Sequence, residues 1–416
     1  MRIFKFGGAS VKDANGIKNL VKVLQYAGYK NTLIVVSAMG KTTNDLEQVI
    51  DSYFNNKVEL SAAITKVENY HYSILLDLFK TDSHDVFKTV KSIFKDLNLF
   101  LKTNKSPDYN FVYDQIIGFG ELLSTKVIST YLNTVDINNI WLDVRSLIKT
   151  DNYYRKANVN WGKTQEQIKT AISKNTLYIT QGFLGSDANN FTTTLGREGS
   201  DYTAAIFGYT LNAESVTIWK DVPGVLNADP RYFEQTKLLE NISYTEAIEL
   251  AFYGASVIHP KTLQPLQQKE IPLHVKSFLN PENNGTIVNK TQVISPLMPC
   301  FILKRNQILI SISTIDFSYI VEENISEIFT LLATYKMKVD VIQNSAISFS
   351  VCVENVFNNL EALLLHLKAK FKVTCHPNVN LYTIRHFNEN VIKDLELNKK
   401  VLLKQQFQET VQIVTK

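Results

Sequence analysis

The sequence predicts an α/β protein, a central and mostly parallel sheet flanked by helices, followed by a smaller α+β region. Three observations carry that expectation. Through about residue 290, short β-branched runs alternate with long amphipathic stretches, the pattern of strands covered by helices. Glycine, hydroxyl and charged residues gather at the ends of those short runs. From Pro281 to Pro299 the chain is rich in Pro, Asn and Gly, including Asn283-Asn284-Gly285, which reads as a connector. Beyond it the order of elements changes to βαββαβ.

The clearest strands of the first region are Ile3 to Phe6, Leu33 to Val36, Leu177 to Thr180, Val216 to Trp219 and Leu273 to Val275. A helix is expected from about Val11. Between the second and third strands, Val86, Val90, Ile93, Phe94, Leu97 and Leu101 recur at helical spacing and predict a helix face packed on the core. In the second region Ile308 to Ile315 alternates as a strand, and Ile325 to Ala333 has helical spacing. Val339 to Ile342 and Ile347 to Val353 return to strand, before a helix over Leu360 to Leu367 and a strand over Leu381 to Arg385. The tail through Val401 to Phe407 and Thr410 to Thr415 supplies a short helix and two further strands, a partial second copy of the βαββαβ unit. The expected boundaries are 1–290, 291–375 and 376–416.

Composition excludes several functions. At ~100–200 residues per domain, 416 residues with 45% hydrophobic content make two or three domains with sizeable cores. Lys+Arg number 44 against 40 Asp+Glu, a net charge of +4. That is too little for binding driven by counterion release, and no Lys/Arg cluster is interleaved with aromatics, so nucleic acid is not an expected partner. Cys300, Cys352 and Cys375 are widely spaced and odd in number, which provides neither a disulfide framework nor a cysteine zinc site and fits a reducing compartment. The N-terminal apolar run is too short for a signal peptide, and no stretch approaches the ~18 apolar residues of a membrane span. A cytoplasmic location without membrane contact is expected.

The chemistry falls at strand ends. Lys5-Phe6-Gly7-Gly8-Ala9-Ser10 closes the first strand, Ser37 to Asn44 follows the second, Gly182 the third, and Lys220-Asp221 closes the fourth. Open α/β sheets bind ligands at the carboxyl ends of their strands, so these segments are expected to share one crevice. Gly7 and Gly8 let backbone amides approach an anion, a following helix would aim its positive dipole end at a phosphate, and Lys5 adds a full charge. The plain alternative is an ordinary turn. Two common nucleotide motifs are absent: Gly40-Lys41-Thr42 lacks the P-loop glycine five residues earlier, where Val35 stands, and no Gly-x-Gly-x-x-Gly follows a strand.

Leu195 to Ala204 combines a glycine-bearing loop, Arg197, Glu198 and a helix start. Arg197 can clamp a carboxylate bidentately, while Ser200 or Asp201 can cap the helix. A capped turn with a surface arginine is the alternative. Glu121, in Gly120-Glu121-Leu122-Leu123-Ser124, reads on its own as a first-turn helix acid favoured by the dipole. His259, before Pro260, has no partner at metal-ligand spacing and is expected to be structural; no protein metal site is expected.

Six segments in order and spacing resemble the amino-acid kinase superfamily, and within it the monofunctional aspartate kinases. They are Lys5 to Ser10; Val36-Ser37-Ala38-Met39-Gly40 with Thr43-Asn44; Gly120 to Ser124; Gly196 to Ala204; Asp221-Val222-Pro223-Gly224-Val225 with Asp229-Pro230-Arg231; and Gly254 to Pro260. The resemblance implies an amino-acid kinase domain over 1–290, an ACT-type, ferredoxin-like regulatory module over 291–375 and a shortened second one over 376–416. It implies transfer of the γ-phosphoryl group of ATP, carried with Mg2+, to the side-chain carboxylate of L-aspartate. Feedback by lysine or threonine at the ACT region, through Val339 to Ser345, and a homodimer are implied as well.

Residue roles follow from the same resemblance. Lys5, Gly7, Gly8 and Ser10 hold the transferring phosphoryl group, and Asp201 organises the cations. Arg197 clamps an aspartate carboxylate, Glu121 faces the substrate ammonium, and Ser37, Thr43 and Ser200 complete the pocket. Lys220, Asp221, Leu226, Arg231 and Ser256 lie where the family binds nucleotide. The chain departs from the family pattern at Ala9, usually Thr; at Ser256, where relatives carry Lys or Arg; at Leu226, commonly aromatic; and at Ala346, often Glu. Two other readings are a kinase for a different carboxylate, such as a glutamate derivative, and a catalytically weak amino-acid sensor.

Overall fold

The computed structural model describes residues 1–255, 257–291, 294–316 and 318–416. By internal contacts the chain divides into two units: 1–225, 238–248 and 257–295 form the first, and 226–237, 249–256 and 296–416 the second.

The first unit begins β1 (Arg2–Phe6), α1 (Ala14–Ala27), β2 (Thr32–Val36), α2 (Thr42–Asn55), α3 (Leu60–Phe79), α4 (Asp85–Thr103) and α5 (Tyr109–Thr134). It continues β3 (Ile140–Leu142), α6 (Val144–Leu147), α7 (Trp161–Ala171), β4 (Tyr178–Gln181), the hairpin β5 (Leu184–Ser186) and β6 (Thr192–Thr194), α8 (Gly199–Leu211), β7 (Ser215–Lys220), β8 (Asn241–Ser243), α9 (Tyr244–Tyr253, shared with the second unit), α10 (Pro260–Gln268), β9 (Leu273–Ser277) and β10 (Thr286–Asn289). Eight strands form one sheet in the order β3-β4-β2-β1-β7-β9-β10-β8, parallel except where β9 meets β10. The five anticipated strands are β1, β2, β4, β7 and β9. The short strands β3, β5, β6, β8 and β10 lack a long β-branched run and were not anticipated.

Periodicity explains the faces. Phe4 and Phe6 of β1 point to one side, where Phe6 stacks on Trp219 at 6.3 Å between centroids and meets Phe278 edge-on at 5.9 Å. Ile3 and Lys5 therefore point to the other side. The anticipated stripe lies on α4, where Val86, Val90, Phe94, Leu97 and Leu101 are buried in the same core as α1, α2, α3 and α5. At about 1.5–3 kcal/mol per buried aliphatic or aromatic side chain, that stripe holds the helix in place, and its propensity is secondary. α1 starts at Ala14, three residues later than expected, because Asp13 caps it by accepting from Gly16 N at 2.7 Å.

The second unit adds β11 (Cys300–Thr314), α11 (Glu322–Thr334), β12 (Lys338–Asn344), β13 (Ser348–Glu354), α12 (Leu360–Lys368), β14 (Phe371–Arg385), α13 (Glu389–Glu396), β15 (Val401–Phe407) and β16 (Thr410–Thr415). Its antiparallel sheet runs β12-β13-β11-β14-β16-β15. The first four strands have the neighbour order of a βαββαβ unit, with α11 and α12 packed over Ile308, Ile310, Ile312 and Val351. β11 and β14 are each longer than anticipated. A register shift between Lys304 and Gln307, with Asn306 at φ 56°, divides β11. Residues after the shift pair with Phe371 to Val379, while Cys300 to Lys304 pair with Leu381 to Arg385 beside β16. One continuous six-stranded sheet results, in which residues 300–304 pair with the half of β14 that lies beside β16.

Candidate active site

β4, β2, β1 and β7 are adjacent and parallel, so their carboxyl ends lie side by side. From β1 the chain winds first toward β2 and β4 and then returns to β7, which makes the gap between β1 and β7 the switch point of the sheet. Lys5 and Lys220 come from these two strands.

Asp201 joins them. Its carboxylate is fully buried in the first turn of α8, with Lys5 Nζ 2.7 Å from Oδ1 and Lys220 Nζ 3.3 Å from Oδ2. Burial alone would raise this carboxyl; the two ammonium groups, Lys5 foremost, outweigh it and hold Asp201 below the usual carboxylate range. Lys220 Nζ also donates to Val257 O at 2.5 Å. Two cations share one anion, so the cluster keeps a net positive charge in a buried place with ammonium donors to spare.

The loop after β1 folds against the loop after β2. Gly40 N donates to Gly8 O at 3.0 Å, and Ser10 N to Gly7 O at 3.0 Å. A Cβ on Gly8 would lie 2.5 Å from Ala38 O, so only glycine lets the two loops touch. A Cβ on Gly7 would stand 3.5 Å from Lys5 Nζ, which places this backbone beside the lysine cluster. Asp13 caps α1, whereas α2, after Lys41, and α8 begin without a side-chain cap. α8 starts from Glu198 in the left-handed conformation (φ 54°), and Ser200 and Asp201 lie inside its first turn. The expectation that one of them caps α8 is therefore corrected. Gly182 makes room for the helix start, since a Cβ there would collide with Ser200.

Glu121 sits near the middle of α5, which removes the first-turn reading. It is 3% exposed, accepts from Ala38 N at 3.4 Å through Oε1, and leaves Oε2 without a hydrogen-bond partner among the described residues. Burial drives its carboxyl up to about 8 against the pull of the Ala38 amide. Such a group is primed to ionise when a cation arrives. Gly120 packs on Ala38 and Thr42, which seats α5 against the β2 loop. Ser37 is fixed through its backbone, donating to Phe6 O at 3.2 Å and accepting from Ser124 Oγ at 2.8 Å; Thr43 is half-buried in the first turn of α2.

Arg197 is exposed in the loop before α8 and has no ion pair among the described residues. His259 caps α10 by accepting from Lys261 N at 3.2 Å, in keeping with its structural reading. Asp221 is exposed after β7. Leu226 and Arg231 belong to the second unit, where Arg231 is an exposed bidentate partner of Asp229 (Nε to Oδ1 3.0 Å, Nη2 to Oδ2 2.5 Å). Ser256 lies outside the described residues.

The first unit therefore brings together Lys5, Gly7, Gly8, Ser10, Lys220 and Asp201, with Glu121 and Ser37 linked through the β2 loop and Arg197 two residues before α8. Sequence reasoning missed the Ala38 amide, which no side-chain motif could reveal. It also missed Asp114, seven residues before Glu121 on the same face of α5. That spacing was a usable signal.

Comparison with known proteins places the fold in a family. The amino acid kinase family model matches residues 1–277. Lysine-sensitive aspartokinase 3 of Escherichia coli (strain K12) is 30% identical over 395 residues, spanning 92% of this chain and 86% of that protein. Aspartokinase 1, chloroplastic, of Arabidopsis thaliana is 30% identical over 85% of this chain and 63% of its own length. Among solved structures, E. coli aspartokinase III in complex with lysine and aspartate (T-state) superposes with a TM-score of 0.84 at 28% identity, covering 100% of this chain and 95% of that one. The same enzyme in complex with aspartate and ADP (R-state) gives 0.80 at 26% identity, covering 100% and 96%. With a family model over 277 of 416 residues and an aspartokinase at 30% identity across most of both chains, this chain belongs to the amino acid kinase family, in its aspartokinase branch.

Proposed function

We propose that the chain transfers the γ-phosphoryl group of ATP to the side-chain carboxylate of L-aspartate, giving 4-phospho-L-aspartate and ADP. The single observation that carries the mechanism is the buried Lys5–Asp201–Lys220 cluster at the switch point of the sheet. A carboxylate of ordinary pKa near 3.9 is already ionised at pH 7, so its attack requires no general base. The obstacle is repulsion between an anionic nucleophile and a polyanionic phosphate. Phosphoryl transfer is accelerated chiefly by positioning and charge stabilisation, which fixed cations supply.

In this mechanism the carboxylate oxygen forms a bond to the γ-phosphorus while the bond from that phosphorus to the β–γ bridging oxygen breaks, and the negative charge departs with ADP. Lys5 and the amides at Gly7 and Gly8 hold the transferring group, with Ser10 at the edge of that loop. Lys220 and Asp221 serve the nucleotide, as do Leu226, Arg231 and Ser256 by resemblance. Asp201, ionised and buried, keeps both lysines aligned. Glu121 takes the substrate ammonium, Arg197 clamps a carboxylate, and Ser37, Thr43 and Ser200 complete the pocket. Mg2+ fits as an ion carried by the nucleotide: among the described residues no group of three or more His, Cys, Asp or Glu could hold a metal, and Asp201 is already engaged by two lysines. There it would neutralise phosphate charge.

β12, the edge strand that contains Val339 to Asn344, and the turn at Ser345 are the proposed effector segment. Lysine is the favoured effector, because the E. coli relative is named lysine-sensitive and its solved structure holds lysine. A homodimer and a cytoplasmic location belong to the same reading; no helix among the described residues is long and apolar enough to cross a membrane.

The test is ADP release coupled to an indicator enzyme, with the acyl phosphate trapped by hydroxylamine, using aspartate and then glutamate, each with and without lysine or threonine. Aspartate-dependent hydroxamate is expected. Equal turnover of glutamate, or none with aspartate, would defeat the assignment. Arg197→Lys should raise the KM for aspartate more than that for ATP, because an ammonium cannot reproduce a bidentate clamp; equal weakening of both would remove Arg197 from the aspartate pocket.

A further inference from the structure

α5 carries two buried carboxylates, and the mechanism uses only Glu121. The other, Asp114, is fully buried two turns earlier and accepts three hydrogen bonds. Arg155 N donates to Oδ2 at 2.9 Å, Thr194 N to Oδ2 at 2.8 Å, and Thr194 Oγ1 to Oδ1 at 2.8 Å.

Each of these bonds leads to the segment that ends in Arg197. Thr194 closes β6, three residues before Arg197. Arg155 is held in the left-handed conformation (φ 68°), and its carbonyl lies against Gly196, where a Cβ would come within 3.3 Å of Arg155 O. Gly196 itself has φ 80°. Ala157 N returns to Thr194 O at 2.9 Å, which closes the 154–157 loop onto the end of β6. The Arg155 guanidinium lies over the Tyr113 ring, 4.3 Å from its centroid, one residue from Asp114 on α5. A burial-raised pKa of about 6, reached despite the bonds from Arg155 and Thr194 that lower it, still leaves Asp114 ionised at neutral pH and able to accept all three donors.

We infer that Asp114 is a positioning residue for aspartate recognition: its three hydrogen bonds fix the backbone of Thr194 to Gly196 and so set the direction from which Arg197 reaches the substrate carboxylate. This rests on the assignment of Arg197 to the aspartate pocket. α5 would then serve one substrate twice, with Glu121 taking the ammonium directly and Asp114 aiming the guanidinium from beneath. Burying a carboxylate is costly unless it is hydrogen-bonded, and Asp114 is held by three donors, all from the two segments that meet at Gly196.

The same hairpin supplies a control. Asp187, 3% exposed, ties its far end by accepting from Tyr154 Oη at 3.1 Å, Asn189 N at 2.9 Å and Phe191 N at 3.0 Å. Asp187→Asn should loosen the hairpin as a structure without redirecting Arg197.

Steady-state kinetics on the full chain test the inference. A misdirection of about 1 Å at a clamping group can cost up to about a hundredfold, so Asp114→Asn should raise the KM for aspartate roughly tenfold. Its kcat and its KM for ATP should stay within about twofold, the signature of lost binding to one substrate. Thr194→Val, which removes a single bond and keeps the side-chain shape, should move the same constant in the same direction by a smaller factor. Thr194→Ser, which keeps the hydroxyl, should restore it, and Asp187→Asn should leave the aspartate KM near native.

Equal shifts for Asp114→Asn and Asp187→Asn, or an unchanged aspartate KM in Thr194→Val, would overturn the inference. Should Asp114→Asn fail to fold, the two Thr194 variants decide it. If Arg197→Lys raises the aspartate KM while the Asp114 and Thr194 variants do not, the positioning role alone fails. If Arg197→Lys has no selective effect, the assignment beneath it fails first.

Discussion

Glu121 and Asp201 are both buried carboxylates, and their surroundings drive them in opposite directions. Asp201 faces two lysines and stays ionised; Glu121 faces one backbone amide and rises to about 8. In the proposed role of Glu121, a substrate ammonium supplies the missing partner and pulls the carboxyl back down. Aspartate binding at pH 7 should therefore release close to one proton, read by calorimetry as a heat that changes with the ionisation enthalpy of the buffer, and Glu121→Gln should abolish that dependence. The sign for stability is separate. A carboxyl raised in the fold stabilises fully below its unfolded value near 4.5 and loses that contribution as pH climbs through about 8. Moving from pH 5 to pH 8 should then cost the native protein more thermal stability than Glu121→Gln. Asp201 runs the other way, stabilising above its unfolded value and losing that contribution in acid.

At the scale of elements, the site depends on close contact between loops and helix starts, and glycine permits it. Gly8 lies on Ala38 O and Gly40, and Gly182 on Ser200. Gly8→Ala has to part the β1 and β2 loops, a strain of about 1–3 kcal/mol for an overpacked contact. Activity should fall by more than the lost stability predicts, because the amides proposed to hold the phosphate and the Ala38–Glu121 contact move together. Unaltered kinetics in a destabilised protein would separate the two loops functionally. Much of this was legible beforehand. Gly7-Gly8 after a strand announced close backbone approach, and the apolar stripe from Val86 to Leu101 announced α4. The start of α8 was misread, because the chain enters it uncapped through a left-handed Glu198 and puts Ser200 and Asp201 inside the first turn. Glu198 is an unusual residue for that conformation, and side-chain preference alone points away from it.

At the scale of the whole molecule, strand order explains both what was legible and what was not. Strand ends rich in glycine and charge pointed to one crevice, and the order β4-β2-β1-β7 puts them side by side. The partition of the chain was harder to read, because it depends on pairing between distant segments: Cys300 to Lys304 with Leu381 to Arg385, and residues 226–237 and 249–256 grouped with the C-terminal unit. No local pattern announces such pairings. Leu226 and Arg231, assigned by resemblance to the nucleotide, lie in that second unit.

The claim on which the account turns is that fixed positive charge, with no proton acceptor, brings two anions together. Turnover of Lys5→Met measures it most directly. Removing one partner of a buried ion pair destabilises by about 3–5 kcal/mol, and Lys220 remains beside Asp201 to offset part of that, so the assay belongs at a temperature where the variant is shown to be folded. The account predicts a kcat lower by about 10²–10³-fold, the loss typical of one transition-state donor. A folded Lys5→Met protein that phosphorylates aspartate at near-native kcat would contradict it.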